Sequence, residues 1–143
     1  MRLGLAFVAV SIILTGVAIG QDDPIAARQQ LMKMNGAALK TSLDMVQEKV
    51  AFDAAQAAKA MNTIVSDIET FPTLFPEGSD VGDTKASPEI WTNNEEFKAL
   101  AAKLATDAKA AAEAAGQGLG AFKTAFAAVG ADCGACHKQF RLR

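Results

Sequence analysis

Apolar residues recur at helical spacing in four segments of the chain, and no segment shows the strict alternation that marks a strand. These segments are residues 24–50, 54–69, 94–115 and 119–141. In each segment the spacing places the apolar side chains along one side of a helix. The connections after the first and third segments are short, whereas the connection between the second and third is long. The pattern therefore predicts an all-α chain folded as an antiparallel, up-down four-helix bundle.

The first segment carries its apolar residues in two rows with seven-residue spacing. Ile25, Met32, Leu39 and Val46 form one row, and Gly36, Leu43 and Val50 form the other. These rows predict a helix to about residue 50, with Met34 and Met45 away from its buried side. Glycine weakens a helix, so a bulky group facing Gly36 would explain its presence there. Asp23 and Asp53 precede the first two helices and are expected to cap them.

Prolines and glycines interrupt the helical pattern between residues 70 and 92. We expect one long loop of about 20 residues there, and loops of that length are usually functional or need to be pinned to the core. The large apolar residues expected to pin it are Phe71, Leu74, Phe75, Ile90 and Trp91.

The first 20 residues have the composition of an export signal. Arg2 precedes an uncharged apolar run over residues 3–19, which ends at small residues around Gly20 and is followed by polar ones. We therefore predict a signal peptide, residues 1–20, cleaved from a mature domain of residues 21–143. The alternative is an uncleaved membrane anchor, because the run approaches the ~18 residues that could span a bilayer. Cleavage would leave a periplasmic protein with no membrane span.

Composition and charge narrow the range of functions. The chain has 143 residues, enough for one domain with a core, and its abundant alanine favours helix. A net charge of −2 gives no indication of binding to nucleic acid or to an anionic membrane. No grouping of a nucleophile with a general acid or base is evident, so we do not expect an enzyme.

The fourth segment contains a Cys-x-x-Cys-His motif, which holds the two cysteines and the one histidine of the chain. The apolar row of this segment runs through Leu119, Phe122, Phe126, Val129, Cys133, Cys136 and Phe140. Its spacing alternates between three and four, which predicts that both cysteines lie on the buried face of the fourth helix. Outside the cytoplasm such a pair needs a partner, which is a disulfide, a metal or a haem.

Three alternatives to haem fit the motif less well. A thioredoxin-like pair should follow a strand at a helix N-terminus, whereas these cysteines occur late in a helix. A zinc site needs four ligands, and Cys133, Cys136 and His137 supply three. A structural disulfide between residues three apart on a helix requires distortion. Covalent haem c fits the motif, with thioether bonds from both cysteines and His137 as the axial ligand to iron.

A second histidine ligand to the iron is excluded, because the chain has one histidine. The sixth position must then hold a methionine, a lysine, a small ligand or nothing. Met32 and Met61 lie on predicted apolar rows, where a methionine more often fills a core than binds a metal. These residue patterns leave the identity of the sixth ligand open.

Three stretches resemble the cytochrome c' family, which includes low-spin relatives with methionine-ligated iron. They are residues 28–33, 84–91 and 133–141. The resemblance implies one covalent haem c in a four-helix bundle. The residue roles that it implies are Cys133 and Cys136 as attachment sites, His137 as proximal ligand, Met32 at the distal position, Arg28 near a haem propionate, Thr84 in the loop over a haem edge, and Arg141 near the exposed proximal face.

The family divides at its distal residue. In five-coordinate members this residue is an apolar blocker, and small gases such as nitric oxide or carbon monoxide bind the iron. In low-spin members a methionine ligates the iron, and the protein transfers electrons to and from redox partner proteins. Residues 31–36 and 74–76 resemble the low-spin members, which implies an electron carrier with Met32 and His137 as metal ligands. A gas-binding protein is the alternative, a haem-free disulfide protein is the third hypothesis, and homodimers are common in the family.

Overall fold

Helices account for most of the described part of the chain, residues 23–143 of this computed structural model. In that part they are α1 (Pro24–Val46), α2 (Ala54–Thr70), α3 (Glu89–Thr92), α4 (Asn94–Ala115) and α5 (Leu119–Phe140). The four long helices form the bundle, in which α1 packs on α2, α2 on α4 and α4 on α5. The prediction of an all-α four-helix bundle is confirmed. The predicted signal peptide, residues 1–20, lies outside the described residues.

Aspartate side chains cap the first two helices, as predicted. Oδ1 of Asp23 accepts hydrogen bonds from the backbone N–H groups of Ile25 and Ala26, with N···O distances of 2.9 and 3.3 Å. Oδ1 of Asp53 accepts one from the N–H of Gln56 at 2.9 Å. Each cap satisfies N–H groups that a helix start leaves without partners, and is typically worth about 1 kcal/mol. The caps fix where α1 and α2 begin.

The buried face of α1 differs from the predicted one. Its buried residues are Arg28, Asn35, Ala38, Ser42 and Met45. Leu43 and Val50 are 41% and 50% exposed, so their predicted place in the buried seam is wrong. The prediction that Met45 lies off the buried side is wrong as well, since its side chain is fully buried. Val50 lies beyond the end of α1, and near that end the buried face runs through Ser42 and Met45 instead of Leu43. Towards the start of the helix, the polar residues Arg28 and Asn35 occupy inward positions beside a cavity.

Helix α1 also ends earlier than predicted, at Val46 instead of about residue 50. Glu48 adopts a left-handed backbone conformation with φ of 58°, which is incompatible with a continued α-helix. The Sδ atom of Met45 accepts a hydrogen bond from the N–H of Asp53 at 3.4 Å. This contact joins the end of α1 to the start of α2.

The segment predicted as one loop contains two short helices. Residues Phe71–Leu74 form a 3-10 helix directly after α2, and α3 precedes α4. Both are about one turn long, which is too short to produce a periodic pattern in the sequence. Four of the five predicted pins join one aromatic cluster, which contains Phe71, Phe75, Ile90, Trp91, Phe97 and Phe140.

The loop pairs with the residues at the end of α5. The N–H of Ser87 donates to the carbonyl of Phe140 at 3.0 Å, and the N–H of Leu142 donates to the carbonyl of Lys85 at 2.8 Å. We call these two hydrogen bonds the strap. Because backbone groups on both sides contribute, the strap fixes the loop against the C-terminal turn of α5 and limits how far either can move.

Candidate cofactor site

A cavity of about 470 Å³ lies between α1, α2, α4, α5 and the loop. Its volume is within the roughly 300–1,000 Å³ that is typical of ligand pockets. All seven residues predicted for the site line it: Arg28, Met32, Thr84, Cys133, Cys136, His137 and Arg141. The fold therefore brings together side chains from the first helix, the loop and the last helix.

Helix α5 presents its Cys-x-x-Cys-His motif to this cavity. Cys133 and Cys136 are half-buried, less than the predicted buried face implied, because they border the cavity instead of a packed helix. The residue before them, Asp132, is buried and accepts a hydrogen bond from Nζ of Lys103 on α4 at 2.6 Å. This contact holds the turn that carries the motif against α4.

Burial keeps both cysteine thiols in the neutral form. It raises the pKa of Cys136 to about 11, and the neighbouring Cys133 is the second cause. Burial also raises the pKa of Cys133, followed by the negative charge of Asp132. Redox-active thiols have lowered pKa values, so this environment differs from that of a thioredoxin-like pair.

His137 lies on the cavity wall directly after Cys136. Partial removal from water lowers the pKa of its imidazole, and the positive charge of Arg141 lowers it further. The imidazole is therefore neutral at pH 7, and neutral imidazole is the form in which histidine binds metals.

Among the four methionines within residues 23–143, Met32 alone lines this cavity. Met45 and Met61 are fully buried in the core between the helices, and Met34 is 37% exposed. Met32 and Met61 were the two methionines on predicted apolar rows. The structure distinguishes these two residues, because Met32 borders the cavity whereas Met61 packs in the core.

The wall that α1 contributes is open beside Met32. A Cβ atom at Gly36 would meet no heavy atom within 4 Å, so the glycine leaves room in the cavity, as expected if a bulky group faces it. Asn35 lies on the same wall and is 7% exposed, and its Oδ1 atom has no hydrogen-bond partner. Asn35 was not predicted. The signal that could have found it is its seven-residue spacing from Arg28, which places the two on one face of the helix.

Arg28 joins α1 to the loop. Its Nη2 donates to the carbonyl of Ser79 at 2.7 Å, and its Nε donates to the carbonyl of Pro24 at 2.9 Å. The guanidinium carbon lies 4.4 Å from the centre of the Phe75 ring. Burial lowers the pKa of Arg28 while Asp23 opposes that shift, and an arginine stays charged. The Nη1 atom is buried without a partner, which fits an anionic group such as a haem propionate.

Thr84 and Arg141 lie where the strap meets the cavity. Oγ1 of Thr84 accepts a hydrogen bond from the N–H of Ala86 at 3.1 Å, and Ala86 forms an isolated antiparallel bridge with Arg141. The N–H of Arg141 donates to the carbonyl of His137 at 3.3 Å. The last hydrogen bond of α5 therefore holds Arg141 one turn from His137, and the two hydrogen bonds of the strap lie on either side of Arg141.

The residues around the cavity fit a haem c. Two thiols and an imidazole project from one helix, and a guanidinium N–H without a partner is available to an anionic group. Gly36 leaves space where a larger side chain would intrude. Apolar side chains from α2 and α4, Ile64, Ile68 and Leu104, complete the walls.

Comparison with known proteins agrees with a haem c site. The family model described as Cytochrome C' matches residues 23–141. The chain belongs to the cytochrome c' family.

Cytochrome c-556 of Agrobacterium fabrum is 38% identical over 119 residues, which cover 83% of this chain and 81% of that protein. The structure of cytochrome c' from Rhodopseudomonas palustris superposes with a TM-score of 0.82 at 35% identity, covering 86% of this chain and 98% of that one. The nitric oxide complex of a cytochrome c' variant from Alcaligenes xylosoxidans superposes with a TM-score of 0.77 at 25% identity, covering 85% and 94%.

As a member of this family, the protein is a monohaem cytochrome with one covalent haem c as its cofactor. The predicted family, fold class and cofactor are thereby confirmed. Proteins of this family are periplasmic, and they are electron carriers or gas binders, not classical enzymes. Within residues 23–143, no helix is both long and apolar enough to cross a membrane. The roles of the individual site residues stay predictions.

Proposed function

We propose that this protein carries single electrons in the periplasm. Haem c, when bound, supplies a one-electron couple between ferric and ferrous iron. In this proposal Cys133 and Cys136 hold the group by thioether bonds. His137 would be the proximal ligand to the iron and Met32 the distal ligand. The observation that supports the proposal most is that Met32, alone among the methionines of residues 23–143, shares a cavity with the Cys-x-x-Cys-His motif.

A thioether ligand suits an electron carrier for two reasons. Methionine opposite histidine raises the reduction potential of the iron. With His137 and Met32 both bound to the iron, its ligands would need little rearrangement between the two oxidation states. Met32 lies in the middle of α1, a continuous helix of 23 residues capped by Asp23, so its backbone is held in place.

The other residues of the site would bind and shield the group. Arg28 would pair with a propionate through its Nη1 atom, which has no partner within the protein. Thr84 and Arg141, at the strap, would cover one edge. The apolar side chains of Ile64 and Ile68 would keep water away, and a site poor in water has few solvent dipoles to reorient when the charge changes.

Gas binding by five-coordinate iron is the second candidate function. Gly36 leaves space on the α1 wall near Met32, where a small ligand would fit. One of the similar solved structures is a nitric oxide complex. In this case Met32 would act as an apolar blocker of the distal side, and the ligand would be nitric oxide or carbon monoxide.

Absorption spectra of the wild type, Met32→Ala and Met34→Ala test the choice between these functions. Met34 is a matched control, because it is a methionine of the same helix but does not line this cavity. If the protein is an electron carrier, the wild type should give a low-spin ferric spectrum with a methionine–iron charge-transfer band. Met32→Ala should abolish this band, and Met34→Ala should retain it. A high-spin spectrum that is the same in all three proteins would contradict ligation by Met32 and favour gas binding.

The proposal also includes export and assembly. The signal peptide, residues 1–20, would be removed after Gly20, and the mature domain, residues 21–143, would exchange electrons with redox partner proteins as a monomer or a homodimer. N-terminal sequencing of protein from the periplasmic fraction should begin at Gln21. Recovery from the membrane fraction with residues 1–20 still attached would contradict cleavage, and sedimentation would count the subunits.

A further inference from the structure

A stripe of polar residues follows the buried side of α1. Arg28, Asn35 and Ser42 lie seven residues apart, and all three are buried. Each has one buried side-chain atom without a hydrogen-bond partner, namely Nη1 of Arg28, Oδ1 of Asn35 and Oγ of Ser42. Arg28 and Asn35 line the cavity, whereas Ser42 does not. The proposed function uses Arg28 but leaves Asn35 unexplained.

None of the polar side chains on the cavity wall, which include Arg28 and His137, forms a hydrogen bond with Oδ1 of Asn35, and several other lining side chains are apolar. Leu39 follows Asn35 on α1, Ile64 and Ile68 come from α2, and Leu104 comes from α4. None of these side chains can form a hydrogen bond. A buried amide without a partner is unfavourable, and buried polar groups in proteins are nearly always hydrogen-bonded. The missing partner of Asn35 is therefore expected to be the occupant of the cavity.

Asn35 is also close to the proposed distal ligand. Residues three apart on a helix are neighbours, so Asn35 and Met32 lie side by side on α1. Its carboxamide has two N–H donors and one acceptor oxygen. The buried atom without a partner is the acceptor Oδ1, and a half-turn of the amide group exchanges it with Nδ2, which brings an N–H donor to that position.

We propose that Asn35 donates a hydrogen bond from Nδ2 to the ligand in the sixth position of the iron. The inference rests on the haem site of the proposed function. The acceptor is an atom with a free lone pair, supplied either by the Met32 thioether or by a small exogenous ligand such as carbon monoxide. Asn35 would then be a residue that determines how strongly the sixth ligand is held and how much charge it donates.

The first arm of the test uses carbon monoxide as the probe. A hydrogen-bond donor close to bound carbon monoxide lowers the C–O stretching frequency, which infrared spectroscopy measures. The holoprotein carries Met32→Ala, so that the sixth position is open, and is compared with and without Asn35→Leu. Leucine has nearly the same shape as asparagine without its amide. The proposal predicts a shift to higher frequency when Asn35→Leu is added.

Ser42→Ala is the matched control for this arm. Ser42 is fully buried on the same stripe of α1 and has the same kind of partnerless polar atom, but it does not line the cavity. Its replacement should leave the C–O stretch unchanged. Equal shifts from Ser42→Ala and Asn35→Leu would overturn the proposal, because they would report a general disturbance of α1.

The second arm keeps Met32 and distinguishes the two sources of the acceptor. If the acceptor is the thioether sulfur, Asn35→Leu shifts the methionine–iron charge-transfer band and the reduction potential, and Ser42→Ala shifts neither. A shift of the C–O stretch without these changes assigns the hydrogen bond to an exogenous ligand. The absence of any shift in both arms overturns the proposal.

Two further points keep the test decisive. If Asn35→Leu does not yield haem-loaded protein, Asn35→Ala removes the amide without adding bulk and is measured in the same way. Failure of the proposed function is visible separately, because a wild-type spectrum unchanged by Met32→Ala excludes methionine ligation. In that case the carbon monoxide arm still reports on Asn35.

Discussion

Replacement of Arg28 tests how the loop is held over the site. Arg28→Met keeps a long apolar stem but removes the hydrogen bonds to the carbonyls of Ser79 and Pro24 and the contact with the Phe75 ring. It also leaves the carbonyl of Ser79 without its donor in a buried position. We therefore expect the loop around Ser79 to detach from α1 while the rest of the bundle remains folded.

The loss of stability expected for Arg28→Met can be worked out from these contacts. A hydrogen bond from a charged donor contributes about 1.5–3 kcal/mol, and a guanidinium over an aromatic ring about 0.5–2 kcal/mol. Part of this is offset, because burial of the Arg28 charge is itself unfavourable and lowers the pKa of the side chain. A net loss of roughly 2 kcal/mol in the free energy of unfolding remains. Such a loss reduces the folding equilibrium constant about 30-fold and lowers Tm by about 8 °C.

Urea unfolding monitored by circular dichroism measures this loss in the free energy of unfolding. Arg28→Lys is the matched control, because lysine keeps the positive charge but lacks the planar fork that binds two carbonyls. It should recover less than half of the lost stability. A loss below about 0.5 kcal/mol for Arg28→Met would be that of an ordinary surface substitution and would refute the reasoning.

Three further predictions concern the core, a buried carboxyl group and the thiols. Phe122 is fully buried and stacks on Phe126, so Phe122→Ala should lower the free energy of unfolding by about 3–5 kcal/mol in urea; less than about 1 kcal/mol would show that the core collapses around the change. Burial raises the pKa of Asp67, so its charged form weakens the fold as the pH rises through the folded pKa. Asp67→Asn should therefore raise the urea midpoint at pH 7, and the gain should shrink towards about pH 4; a gain independent of pH would argue against this account. In haem-free protein, the raised pKa of Cys136, about 11, should make alkylation of its thiol at pH 7 at least ~10-fold slower than that of free cysteine, whereas an equal rate would indicate an exposed thiol.

The part of the site on α5 was predictable because its chemistry is local in the sequence. The motif residues are consecutive, and the apolar row from Leu119 to Phe140 fixes which side of the helix faces inward. Arg28 and Met32 are different, because a helical pattern alone does not separate them from other residues of α1. The apolar rows made Met32 one of two candidate methionines, whereas Arg28 and the choice of Met32 came from the family resemblance. Both residues line the same cavity as the motif.

The inner face of α1 could not be predicted from its apolar rows. Apolar periodicity identifies the side of a helix that packs on another helix, but on α1 the polar residues Asn35 and Ser42 are buried, and Asn35 borders a cavity. The strap could not be predicted either, because it joins Lys85 to Leu142 through backbone atoms. Backbone pairing between distant residues leaves no trace in the identity of the side chains.

Intact mass spectrometry of the denatured protein tests the central claim most directly, namely that Cys133 and Cys136 hold one haem c. The protein is purified from cells that contain the c-type maturation machinery. We predict a single species with the mass of residues 21–143 plus one haem, with the haem retained after digestion on the peptide that carries both cysteines. An unmodified polypeptide mass, or haem that is released on denaturation, would contradict the claim.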